Sequence, residues 1–193
     1  MSKKLLSKTL RVITIAPFMA LILLSLIYIQ HPEYLGGLSA YILAVLFLVV
    51  FPVLAYPLQP FIPKFRGRGR EGQRNLAMVM AGIGYCLGII TAIVTKAVFE
   101  LRVIYLTYFI SGVLIIVFNK MFGIRASGHA CGAAGPVFAM IYLLGPLYAV
   151  GFALLIAVYW SSLYTKRHTL FELLLGTAVP LAALLLSIGI SQF

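Results

Sequence analysis

Three kinds of side chain in this sequence could do chemistry together: histidine, a carboxylate and a cluster of guanidiniums. His168 is followed four residues later by Glu172, and in a helix that spacing puts both side chains on one face. A carboxylate beside an imidazole fixes its tautomer and stabilises its charged form, which is how a nucleophile or base is oriented for covalent catalysis. A plain surface ion pair would have the same spacing. The stretch RASGHACG, residues 125 to 132, holds a second histidine, His129. Ser127 is a good helix N-cap and Gly128 lets a ligand come close to the backbone. Free N–H groups at a helix start attract anions, phosphate above all. Arg125 and Lys120 stand just before it. Between Lys64 and Asn75 lies KFRGRGREGQRN, with Lys64, Arg66, Arg68, Arg70 and Arg74 in twelve residues. Arg suits bidentate contact with phosphate, and the same loop could instead meet anionic lipid head groups. His31, in QHPEY, has no such company and reads as an interfacial residue.

The elements that must position these groups are almost entirely apolar. Of 193 residues, 63% are hydrophobic and only 10% charged, against roughly a quarter charged in a soluble domain. Seven apolar segments are predicted, over residues 12–29, 38–62, 76–95, 103–118, 130–144, 147–164 and 168–190. Several reach the ~20 residues that cross a bilayer. Pro52, Pro57 and Pro60 should kink the second or end it early. Gly145-Pro146 marks a turn. The first segment follows a basic stretch but has no small-residue cleavage site, so it is expected to stay as a span. The expected architecture is all-α, a polytopic transmembrane bundle of six to seven helices forming one domain over residues 1–193, with the site at one membrane face. Counting crossings puts thirteen Lys and Arg on the face of the N-terminus, the 64–75 loop, RASGHACG and His168, and only Lys96 and Arg102 on the other. The positive-inside rule makes the first face cytosolic and the expected location the cell membrane.

Composition also excludes. There is no Asp, and the four acids are Glu33, Glu71, Glu100 and Glu172. Mg²⁺ on a diphosphate needs clustered hard oxygen ligands, which argues against prenyltransferases of the Asp-rich kind. Cys86 and Cys131 read as reduced, small apolar residues.

From Arg125 to Gly176 the chain resembles the type 2 phosphatidic acid phosphatase family. That family's second motif is Pro-Ser-Gly-His, and here stands Ala126-Ser127-Gly128-His129. Its third is Ser-Arg, five residues, His, three residues, Asp. Here Ser161-Ser162 is followed by LYTKR, His168, TLF and Glu172, and Gly176 fits the continuation. Departures are Ser162 in place of a phosphate-binding Arg, Glu172 in place of Asp, Ala126 in place of Pro, and no first motif in its usual form. The resemblance implies a metal-independent, cofactor-free phosphatase acting on a polyprenyl or glyceryl phosphate or diphosphate. His168 would be the nucleophile, Glu172 its orienter and His129 the acid for the leaving oxygen. Arg125, Arg70, Arg74, Lys64 and Arg167, with the amides at Ser127 and Gly128, would hold the phosphate. Arg125, Lys166 or Arg167 would replace the charge lost at Ser162. The implied partners are a lipid phosphate and membrane lipids, with no nucleic acid. A phosphotransferase with the same intermediate and a non-catalytic lipid-phosphate binder or transporter are the alternatives.

Overall fold

The computed structural model describes residues 7, 9, 10 and 13–192, and among these all regular structure is helical. The first described long helix, α1, is Ala16–Gln30. It starts where Pro17 fits the first turn, a position whose N–H has no intrahelical partner in any case. A 3₁₀ turn at Pro32–Leu35 leads to α2, Leu38–Phe61. Helices α3, Gly69–Val94, and α4, Phe99–Lys120, follow. Next come α5, Gly128–Leu144, a 3₁₀ segment at Pro146–Gly151, α6, Phe152–Tyr164, and α7, Leu170–Ser191.

Five stretches among the described residues are long and apolar enough to cross a membrane: Leu38–Phe61, Gly69–Val94, Phe99–Lys120, Pro146–Tyr164 and Leu170–Ser191. Their outward faces carry Ile93, Val94, Ile156 and Leu185, all well exposed. A contiguous apolar exterior of this kind is stable against lipid tails and not against water, so the chain is an integral membrane protein. Helices α1 and α5 are shorter, at 15 and 17 residues, or about 22 and 25 Å at 1.5 Å per residue.

Two segments differ from the sequence pattern. Of the two outcomes expected of the prolines, an early end to α2 does not occur and a local break in its regular ladder does. The helix widens to a π turn at Leu46–Val50 just before Pro52, where the missing proline N–H and the ring break the regular ladder. The basic stretch is only partly a loop. Helix α3 begins at Gly69, so Arg70 and Arg74 lie in its first turns with Glu71, an acid that favours the positive end of a helix. The Gly145 turn is as expected, with φ of 105°.

The bundle is organised around α7. It packs most extensively against α4 and α5, and α5 packs in turn on α1. Two glycines allow these approaches. A Cβ on Gly132 of α5 would sit 2.5 Å from that of Ala16 in α1, and a Cβ on Gly176 of α7 would collide with the Ser127 carbonyl. Gly176→Ala should therefore lower stability by about 1–3 kcal/mol, the usual range for overpacking a tight contact. Gly189→Ala in the same helix, where nothing lies within 4 Å, should not lower it. Thermal unfolding in detergent compares the two.

Candidate functional site

The starts of α5 and α7 lie side by side because one backbone hydrogen bond joins them. The Ser127 N–H donates to the Glu172 carbonyl at 2.9 Å. Gly176, one turn further along α7, leaves the room that this bond needs. The C-terminal end of α4 reaches the same place, since the Asn119 side-chain amide donates to the Ala126 carbonyl at 3.2 Å. Residues 127–129 and 168–172 thus form one group.

Glu172 is its centre. Thr169 caps α7, its hydroxyl accepting from the Glu172 N–H at 3.2 Å, while the Thr169 N–H donates to Oε2 at 3.3 Å. This reciprocal pair is a capping box, and the Thr-x-x-Glu pattern that announces it can be read at 169–172. The same Oε2 accepts from His168 Nδ1 at 2.7 Å. A carboxylate only accepts, so Nδ1 carries the hydrogen and Nε2 keeps the lone pair. His168 and Glu172 are 22% and 14% exposed, enough for a ligand to reach them. On the other side, Arg125 Nε lies 3.9 Å from Glu172 Oε1, with its own side chain largely exposed. Among the described residues it is the one Lys or Arg within 4.0 Å of a carboxylate.

His129 is held from a different direction. Its Nε2 lies 3.0 Å from the Thr14 hydroxyl. Thr14 gives its single hydroxyl hydrogen to the Leu10 carbonyl at 2.7 Å, so Nε2–H is the donor between the two. The buried Thr14 is a site neighbour that sequence reasoning passed over. It lies 115 positions away, and no local pattern pairs it with a histidine.

The expected anion donors divide. Ser127 is fully buried. Its amide donates to Glu172 and its hydroxyl caps the helix by accepting from Ala130 N–H at 3.3 Å, so Ser127 serves as the N-cap. The Gly128 amide has no partner among the described residues, and a Cβ there would meet open space. Lys64, Arg70, Arg74 and Arg167 are all exposed, and their side chains have no hydrogen bond or ion pair among the described residues. Ser162 is buried in α6, its carbonyl accepting from Arg167 N–H at 3.1 Å. Neighbouring Ser161 bonds Ser7, with 2.9 Å between the hydroxyl oxygens. Lys166 holds a left-handed backbone, φ 50°, at the end of α6.

The remaining candidates lie elsewhere. His31 stacks on Tyr34 and pairs with Glu33 at 3.0 Å in the turn between α1 and α2. The Glu33 carboxyl is held below the ordinary range, first by a backbone hydrogen bond and then by His31. Cys86 and Cys131 are both free thiols, the first exposed and the second buried. Among the described residues no three His, Cys, Asp or Glu gather in a metal-binding group.

Chemically, the group offers an imidazole oriented through Nδ1, a second imidazole with a fixed tautomer, an open helix-start amide and one exposed guanidinium. Because the capping box fixes the Glu172 side chain, Thr169→Ala should cost about 1 kcal/mol, within the range measured for N-cap loss. The loss should be read in thermal unfolding and in faster amide exchange at 170–173.

No family model, no curated protein and no solved structure matches the chain.

Proposed function

We propose that this protein is an integral-membrane phosphatase that hydrolyses a lipid phosphate or diphosphate through a phosphohistidine, without metal. One observation carries the reading. The His168–Glu172 pair, 2.7 Å apart, is held against the helix start bearing His129 by the Ser127–Glu172 backbone bond. The resemblance of residues 125–176 to the type 2 phosphatidic acid phosphatase family supports the assignment of roles. His168 Nε2 attacks phosphorus, and the bond from phosphorus to the lipid oxygen breaks. His129, as the imidazolium, keeps its Nε2–H on Thr14 and gives that oxygen the proton on Nδ1, the usual work of a positioned general acid. Water then attacks the phosphohistidine, His129 takes back a proton, and phosphate leaves. Glu172 holds the His168 tautomer and stabilises the imidazolium as charge develops. Arg125 and the Gly128 amide face the equatorial oxygens. Lys64, Arg70, Arg74 and Arg167 join them only if their long, exposed side chains swing inward on binding.

This function comes with a topology of seven crossings, α1 and α5 included, and with the N-terminus, the 62–68 turn and the site on the cytosolic side of the cell membrane. Single cysteines introduced at Arg68 and Lys96 in a Cys86→Ala/Cys131→Ala background test it. An impermeant thiol reagent should label the Lys96 position in intact cells, and the Arg68 position only after lysis.

The catalytic test uses purified protein with polyprenyl and glyceryl phosphates and diphosphates. Phosphate release should persist in chelator. His168→Ala and His129→Ala should each lower it by at least about 10²-fold, the lower range for loss of a positioned acid or nucleophile. Acid-labile phosphate should be trapped on His168. A new phospho-ester in place of free phosphate would identify a transferase. A second reading, lipid-phosphate binding without turnover, is favoured by the burial of Ser162 where the family has an Arg. It predicts retention of ligand with no release from any substrate.

A further inference from the structure

At the opposite end of α4 from the His168–Glu172 group, a cavity of about 270 Å³ opens between the start of α2, the end of α3 and the start of α4. The 22 residues of α4 separate the two places by about 33 Å at 1.5 Å per residue. Ser39, Thr91, Lys96 and Tyr105 line the cavity, over an apolar floor that includes Leu43 and Leu101.

Three of the four hydroxyls that line it, those of Ser39, Thr91 and Tyr105, depart from the habit of this chain, while the fourth, Thr95, follows it. Thr14, Thr95, Thr107, Thr165 and Ser187 each donate to the carbonyl four residues earlier, which satisfies a hydroxyl inside a helix. Thr91 lies in the same kind of helix and makes no such bond. Ser39 and Tyr105 also have no side-chain hydrogen bond among the described residues. Tyr105 is only 1% exposed, and a phenol so deep normally finds a partner. Its neighbour Tyr108 is sealed among side chains, whereas Tyr105 borders the cavity. Lys96 is exposed, forms no ion pair among the described residues, and is one of only two cations that the sequence topology leaves on this face. It also takes a left-handed backbone, φ 50°, a conformation that glycine would adopt without strain.

One cation and three hydroxyls with no partner among the described residues, above an apolar floor, match an amphiphile whose head carries a single negative charge. We infer that this cavity binds the phosphodiester head group of an anionic lipid, at the membrane face opposite the His168–Glu172 group. A single Lys balances a phosphodiester monoanion and undercompensates a phosphomonoester. The site therefore selects a different class of lipid from the proposed substrate and stands independently of that reaction.

The test uses the full chain in detergent with His129→Ala and His168→Ala, so that the other site is disabled. Binding of dihexanoyl phosphatidylglycerol is measured by native mass spectrometry, with dihexanoyl phosphatidylcholine as comparator and inorganic phosphate as competitor. The anionic lipid should bind, and the zwitterionic one should bind at least about tenfold more weakly. Lys96→Gln should weaken binding about tenfold, as for loss of one charge-assisted hydrogen bond, and Lys96→Arg should restore it. Tyr105→Phe should weaken it severalfold, while unfolding temperatures show that each variant is folded. Equal binding of the two lipids, or unchanged binding in both Lys96→Gln and Tyr105→Phe, would overturn the proposal. Displacement by inorganic phosphate at the lipid's own concentration would assign the cavity to a free anion and overturn the lipid assignment.

Discussion

The hydrogen bond from Ser127 N–H to the Glu172 carbonyl is the contact on which the rest of the candidate site depends. It ties the first residue before α5 to the first turn of α7, and it forms only because Gly176 presents no side chain to the Ser127 backbone. In the low dielectric between packed helices, an unmade backbone bond of this kind is expensive. The bond therefore fixes the relative height of two helices, and through them the relative height of His129 and His168.

Around that bond the local capping chemistry and the candidate catalytic chemistry use the same atoms. Glu172 closes the capping box with Thr169 and orients His168 through one oxygen, and its other oxygen faces Arg125. A residue with a structural duty cannot drift, and a rigid carboxylate is what an imidazole needs in order to keep one tautomer. Ser127 shows the other side of this economy. Its amide is spent on the bridge and its hydroxyl is buried at the cap, which leaves the Gly128 amide and Arg125 as the groups at this helix start open to a ligand.

The cations illustrate how far composition reaches. The five basic residues between Lys64 and Arg74 were visible as a dense positive stretch, and they do lie together at the turn into α3. Helix α3 packs chiefly on α2 and α4, however, and none of these guanidiniums pairs with Glu172 among the described residues. Arg125 is attached directly to the helix that holds His129, and it is the cation that comes to the carboxylate. Proximity to the site followed the helix neighbours and not the density of charge.

The sequence by itself determined the helical membrane architecture, because a chain with so few charged residues and such long apolar runs has no other way to satisfy its backbone in lipid. It also determined the His168–Glu172 pair and the Ser127 cap, because both are read within one helical turn. The tertiary structure alone decided that α5 and α7 begin side by side, that Thr14 holds His129, and that Ser162 turns inward beside the Ser161–Ser7 contact. It also decided that the prolines of α2 widen a turn instead of ending the helix. Each of these rests on contacts between residues far apart in the chain, or on how a neighbouring helix accommodates a local defect. Hydrophobic periodicity does not encode which helices become neighbours: every apolar face can be covered by lipid as well as by another helix, and small residues and single backbone bonds make the choice.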